Sequence, residues 1–404
     1  MDTSHAQRDP SGPIPSNRRG VALAFVAFFL VALLGMTALA VDLGIMYNAR
    51  AEVQRVADAA ALAGAASLIE NPGDSARAVE FATAYAVRND VQRLNIVLEP
   101  GDVDVELWRD RVRVRAYRVP DRGTGLGTLF ARVLGFNEAG VSAVAAAEAA
   151  VAGGASCLLP FALVDRWAVG TSRLAAQDDA YQTGDTYEEG PFHGDNVADW
   201  RLGDNTGYGV EADRGRVLRI YPGSTQDSPQ PGWYYPIALE GTGANVYRDA
   251  IAECQDNRTV VSFDDLIDIE PGRMVGPTSQ GFDRLIASDP NAYWDTQANC
   301  VKRTDDNSDA CVTDSERVRP MVLISPEEQP TSPGRQEVTV RNFVGVFVIC
   351  QGVLNDSGQS CSGGQGNNPD AGVWVRFVDY RGSNAMSGDE APEGSFLRVL
   401  RLIE

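Results

Sequence analysis

Cysteine is the residue type whose spacing in this sequence most directly implies chemistry. Cys157, Cys254, Cys300, Cys311, Cys350 and Cys361 all lie downstream of one long apolar run, and none precedes it. An even set on one side of such a run points to disulfides formed in an oxidising compartment. Pairing of neighbours is favoured: Cys300 with Cys311 and Cys350 with Cys361, each closing a loop rich in polar turn residues, which leaves Cys157 with Cys254. No C-x-x-C pair occurs, so a thiolate metal site is not indicated. The two histidines, His5 and His193, are too few for a His-based metal centre or a Ser-His-Asp triad. There is no G-x-S-x-G elbow, Walker-type phosphate loop or H-E-x-x-H pair. Asp305-Asp306-Asn307-Ser308-Asp309 lacks the spacing and distal Glu of a calcium loop and is expected to be a solvated turn. The expectation is therefore a protein that is not an enzyme and needs no cofactor or metal. A hydrolase built on Asp and Glu pairs is the weaker alternative, because such pairs leave no mark in sequence spacing. The formal charge of -20 argues against nucleic acid as a partner, since phosphate contacts need a basic face.

The elements that must carry these cysteines begin with the apolar run. At 404 residues the chain has room for two or three packed units. Gly20 to Val41 gives 22 residues without a charge, enough for a helix to cross a bilayer core. Arg18 and Arg19 stand immediately before it and Asp42 immediately after. The positive-inside rule then puts residues 1–19, a disordered tail, in the cytoplasm, residues 20–41 in the membrane and the rest outside. Ala38-Leu39-Ala40 offers a cleavage site of signal-peptide type. Against that reading, the run exceeds a usual signal core and helical sequence continues through the cut.

Beyond Asp42, Leu43, Met46, Val53, Val56, Ala60 and Ala63 recur at roughly helical spacing among Arg50, Glu52, Gln54, Arg55 and Asp58. The stretch Ala57 to Ala66 has small side chains on nearly every face. Either alanine there maximises helicity, or the face admits a close partner, which would make it a route to a homo- or hetero-oligomer. Asn71-Pro72-Gly73 ends this helix, and residues 75–89 form a second one behind an Asp74 or Ser75 cap. In "GDVDVELWRDRVRVRAYRV" apolar residues alternate with period two. A hairpin turning at Arg109-Asp110 would set Leu107 opposite Val112, Val105 opposite Val114 and Val103 opposite Ala116. Its other face would pair Glu106 with Arg113 and Asp104 with Arg115. Residues 126–135 suit a short amphipathic helix. Residues 139–152, "AGVSAVAAAEAAVA", are helical by propensity.

From Gly153 the texture changes to Gly, Pro, Asp and Asn turns between short strands: "WYYPIAL", "VRPMVLI", "EVTVRNFVGVFVIC", "GVWVRFVDY" and "FLRVLRLI". This argues a mostly β region with long loops. The Pro and Gly residues of "EPGRMVGPTSQG" are expected to shape a loop.

The string "RRG…ALAVDLGIMYNARAEVQRVADAAALAGAASL" resembles the N-terminal region of the TadE/TadG-like proteins of the tight-adherence (Flp) pilus apparatus. The matching positions are Arg19, Gly20, Ala40, Val41, Asp42, Gly44, Arg50, Gln54, Ala57, Asp58, Ala59, Ala60, Ala61, Leu62 and Ala63. "SCLLPFALVDRW", "PGWYYPIALEGTG" and "EPGRMVGPTSQGFDRLIASDP" resemble distal segments of such proteins. Pseudopilins of that system carry Glu five residues after the processed Gly, whereas this sequence has Phe25, so the resemblance is closest to the uncleaved, TadG-like members. The metal-adhesion Asp-x-Ser-x-Ser signature of some TadG relatives is absent. The resemblance also implies that residues 139–152 form a strand, against their helical propensity.

Together these readings give an α+β chain. A transmembrane helix at 20–41 continues into a pilin-like helix on a small antiparallel sheet at 42–152, followed by a larger, mostly β, disulfide-bonded extracytoplasmic domain at 153–404. The implied role is a single-pass structural or assembly component of a Flp/Tad-type pilus in the bacterial cytoplasmic (inner) membrane, meeting other envelope proteins outside it. The competing role is a surface or secreted binding module, a minor subunit or adhesin, without assembly duty.

Overall fold

The structure is a computed structural model that describes residues 18–70, 73–91, 94–170, 173–188, 206–254, 259–305, 311–312, 314–331, 336–363, 371–380, 385–387 and 395–403. His5, His193, Asp306 to Asp309 and most of the leading tail lie outside the described residues.

Helix α1 is continuous from Arg18 to Glu70, 53 residues, or about 80 Å at 1.5 Å per residue. No side chain between Ala22 and Val41 is buried, and the helix is long and apolar enough there to cross a membrane. From Ala49 onward one face turns inward: Ala49, Val53, Val56, Ala57, Ala60 and Ala61 are all buried. After Glu70 the chain turns through Gly73 at φ +79, a conformation glycine adopts without strain. Helix α2 (Ser75–Arg88) then starts on Asp74, whose carboxylate accepts the Arg77 N–H at 2.9 Å. Ala78, Ala82 and Ala86, four residues apart, are its buried stripe and join the α1 core.

The strands of the first sheet are β1 (Val103–Glu106), β2 (Arg111–Arg118) and, beyond a small hairpin of β3 (Leu126–Gly127) and β4 (Glu138–Ala139), the 15-residue β5 (Val141–Ala155). β2 pairs antiparallel with both β1 and β5. The observed hairpin register sets Val103 opposite Val114, Asp104 opposite Arg113, Val105 opposite Val112 and Glu106 opposite Arg111. This corrects the expected register by two residues. Leu107–Arg109 leave the ladder as a 3-10 turn closed by Asp110 at φ +47. Because the shift is even, the same side chains stay on the core face. Residues 126–135 also differ from expectation: they begin as β3 and only Ala131–Leu134 make a 3-10 turn, ended by Gly135 at φ +92.

Residues 139–152 resolve as strand. Alanine prefers helix, but β5 pairs with β2 over eight positions, and Ala143, Ala145 and Ala147, on one face, meet α1 in the common core. Small side chains on both helix and sheet let the two approach closely. At Gly64 an added Cβ would lie 2.8 Å from Val112 Cγ1 and 3.2 Å from the Ala78 carbonyl oxygen.

The larger region is mostly β and contains a closed barrel of six strands. They are β6 (Phe161–Val164), β7 (Val217–Pro222), β8 (Trp233–Pro236) and, after helices α3 (Ala244–Ala252) and α4 (Val275–Ser288) and the short β9 (Val261–Ser262), β10 (Val318–Ile324), β11 (Asn342–Leu354) and β12 (Gly372–Val378). The order β10–β6–β8–β7–β12–β11 closes by antiparallel pairing of β11 with β10. Continuous apolar runs such as Met321 to Ile324 fit strands buried on both faces. Phe161, Leu163 and Met321 pack with Phe282 and Leu285 of α4, and Ala162, Val164 and Val322 pack with Trp167 and Phe343. The segment expected as a loop at "EPGRMVGPTSQG" supplies the first turns of α4, with Pro277 where the missing N–H costs nothing.

The chain does not divide cleanly at residue 152. β5 runs across that point, and β9, β13 (Ala385–Ser387) and β14 (Arg398–Leu402) all pair with it. The last strand thus returns to the first sheet instead of staying with the barrel.

Candidate functional site at the exit of the apolar helix

Asp42 follows the uncharged run directly, yet it is only 4% exposed. Its carboxylate accepts three backbone N–H groups from the tip of the β3–β4 hairpin. Leu129 N donates to Oδ1 at 2.9 Å, and Phe130 N and Ala131 N donate to Oδ2 at 3.0 and 2.6 Å. Burial works against the charged form. The three donors, led by Ala131, and the charge of Arg132 outweigh it, and the carboxyl is held below its usual range. The residue therefore pins a loop 87 residues downstream to the helix exit. The hairpin tip is closed on itself by Thr128, whose N–H bonds the Asn137 carbonyl at 3.1 Å.

Farther along α1, Gln54 Nε2 donates to Asp58 Oδ1 at 2.8 Å and to the Val144 carbonyl of β5 at 3.1 Å, crosslinking helix and sheet. Ala57, Ala60, Ala61 and Ala63 are buried, while Asp58, Ala59 and Leu62 are half-buried. The buried side of the Ala-rich stretch thus packs within the chain itself, against α2 and the first sheet. Val41, Gly44 and Arg50 are exposed, and a Cβ on Gly44 would meet nothing within 4 Å. Arg18, Arg19 and Gly20 open α1, their side chains lying outside the described residues.

The distal end of α1 is tied as well. Arg214 donates to the Ile69 carbonyl at 2.8 Å and pairs with Asp379, so a residue of the larger region caps the helix C-terminus. Glu148, the one charge within β5, accepts Arg111 Nη2 at 2.9 Å and Arg401 Nε at 2.6 Å, holding β2 and β14 to β5. Spacing gave no signal for either tie, because the partners lie far apart in sequence.

Residues 20–67 match the Tad family model, "Putative Flp pilus-assembly TadE/G-like". The match supports the Tad family for this segment and contains Asp42, Gln54 and the Ala-rich face. A search of curated proteins finds no match, and neither does a search of solved structures. The Tad segment therefore ends near Ser67, on the last turn before the chain turns into α2.

The six cysteines lie outside the Tad segment and come together as Cys157–Cys254, Cys300–Cys311 and Cys350–Cys361, with Cα–Cα distances of 5.1, 5.8 and 5.6 Å. Among the described residues no group of three or more His, Cys, Asp or Glu side chains converges as a metal site would. The Asp165 carboxyl is pushed up to about 7 by burial against the lowering effect of its hydrogen bonds. Its oxygens are occupied by Tyr208 N and Arg166 N at 2.8 Å and by the Tyr187 hydroxyl at 3.2 Å. With Asp165 1% exposed and Arg166 bound through both terminal nitrogens to Asp213, this knot holds chain segments together and has no face for a substrate. An open polar hollow lined by Tyr181, Gln182, Thr183, Gly184, Asp185 and Ser228 uses its one carboxylate to accept the Gly170 and Gln182 N–H groups.

Proposed function

We propose that this chain is a single-pass, membrane-anchored structural or assembly component of a Flp/Tad-type pilus, acting through protein contacts outside the membrane. The observation that carries the reading is the unbroken helix in which the Tad-matched residues run from a lipid-length apolar stretch into a packed core. A pilin-like arrangement of helix on sheet, an uncleaved TadG-like N-terminus, and a tail in the cytoplasm with the barrel outside the inner membrane are the finer parts of the proposal. Arg18, Arg19 and Asp42 support that orientation through the charge asymmetry of the span. The three cysteine pairs support an oxidising compartment for the larger region. Catalysis and a bound cofactor are no part of the proposed role.

The test is fractionation of cells expressing the native protein, with its N-terminus determined by mass spectrometry, beside a deletion strain examined for surface pili. A membrane-bound chain retaining residues 1–19, and loss of pili on deletion, are expected. A soluble protein beginning at Val41 would overturn the anchor, and normal piliation of the deletion strain would overturn the assembly role.

A further inference from the structure

Among the described residues, the hairpin tip that Asp42 holds is the most apolar exposed loop outside α1. Leu129 is 52% exposed, Phe130 43%, Val133 82% and Phe136 67%, all within eight positions of one turn. A water-facing loop has no reason to spend four large apolar side chains this way, and clustered exposure of this kind marks an interaction surface. Its position says which one. The Asp42 carboxylate reaches the N–H groups of Leu129, Phe130 and Ala131, so the tip lies within one side chain's length of the first residue after the apolar run. The exposed surface of α1 from Ala22 to Val41 and the exposed apolar tip therefore meet at one level.

We infer that the Leu129–Phe136 tip dips into the bilayer leaflet that α1 leaves at Val41, so that the protein holds the membrane by a helix and a second, interfacial foot. Arg132 is exposed within the tip and carries the charge that lipid phosphates would meet, the arrangement of an amphipathic interfacial element. Tyr47 and Leu43 on α1 are 80% and 55% exposed just beyond the run, where aromatic and apolar side chains sit at a membrane surface. Three backbone donors solvate the Asp42 carboxylate, which makes an anion at the edge of the lipid tolerable, and the same bonds fix the foot's height and direction. The inference rests on the anchored reading of α1.

The full chain, reconstituted into nanodiscs of phosphatidylethanolamine and phosphatidylglycerol, tests it. Phe136→Cys, Val133→Cys, Phe29→Cys and Trp108→Cys are each labelled with an environment-sensitive fluorophore, and part of the lipid is brominated near the head of its acyl chains. Trp108 is exposed in the β1–β2 turn, which ends at Arg111 opposite Glu148 of β5, whereas the β3–β4 hairpin runs directly into the start of that strand at Val141. The separation is about 24 Å at ~3.4 Å per residue. Labels at 133 and 136 should show blue-shifted emission and lose intensity in brominated lipid, as the label at 29 does, while that at 108 stays water-like. If 29 is quenched and both tip labels behave like 108, the foot is refuted and the anchor stands. The apolar tip would then be a seat for a partner protein missing from the nanodisc. If 29 itself is not quenched, the anchored reading fails and the foot with it.

Discussion

Replacing Gly64 by alanine isolates the close approach of α1 to its own sheet. Within a helix the exchange should stabilise, since alanine exceeds glycine by about 0.8–1 kcal/mol in propensity. Here the new Cβ would sit 2.8 Å from Val112 Cγ1 and 3.2 Å from the Ala78 carbonyl oxygen. Neither neighbour yields easily: Val112 is a fully buried, β-branched strand residue, and the other atom is α2 backbone. Overpacking of this order costs about 1–3 kcal/mol, so Gly64→Ala should come out about 1 kcal/mol destabilising. Gly44→Ala is the matched control, because its Cβ would meet nothing within 4 Å, and it should raise stability by up to about 1 kcal/mol. Val112→Ala removes the closest atom. In that background Gly64→Ala should be close to neutral, a coupling of about 1 kcal/mol or more between two touching positions. Urea midpoints of the full chain in detergent, read by limited proteolysis, give all four values. A Gly64→Ala variant as stable as Gly44→Ala, or a penalty undiminished by Val112→Ala, would show that helix and sheet do not meet as described.

Loss of the Cys157–Cys254 bond should cost more than loss of either short loop. Separations of 97 and 11 residues give about 4.7 and about 2.8 kcal/mol from chain entropy, checked by urea midpoints of the paired Cys→Ser variants. Glu148→Gln should cost about 2 kcal/mol and loosen β14 first, since it weakens charge-assisted bonds to Arg111 and Arg401. Burial raises the Glu148 carboxyl, but those bonds outweigh it and the folded value lies below the usual 4.5. Its contribution is therefore complete above pH 4.5 and disappears as pH falls through the folded value, so the gap to wild type should narrow only on the acid side. A gap that stayed constant as the pH fell through the folded value would remove the ionic account.

What the sequence makes legible is what local chemistry decides. The uncharged run, the Asp74 cap and the strand "VRPMVLI", observed over its whole length at Val318–Ile324, each follow from neighbours a few residues apart. Three features stay hidden because they depend on distant contacts. Alanine-rich 139–152 has no polar period to show its pairing, and it is pairing with strands distant in sequence, chiefly β2 and β14, that makes it a strand. The hairpin register moves because Leu107–Arg109 curl into a 3-10 turn that neither alternation nor charge pairing reveals. Asp42 looks like a charge marking the end of a span, whereas its partners are backbone groups nearly ninety residues away, which carry no side-chain signature.

Those distant contacts change what the anchor can do. A helix followed by a flexible linker would leave the β region free to swing, and any partner surface on it would have no fixed relation to the membrane. Here Asp42 fastens one end of the sheet unit to α1, Gln54 crosslinks its middle, and Arg214 and Asp379 hold the far end. The strand Arg398–Leu402 then brings the end of the larger region back onto β5, beside the same helix. From Asp42 to Glu70 the helix rises about 42 Å. On the anchored reading, the barrel is carried at roughly that height on a braced stalk. Partners that bind it would meet it in one orientation, which is what an assembly component needs and a freely tethered adhesin does not.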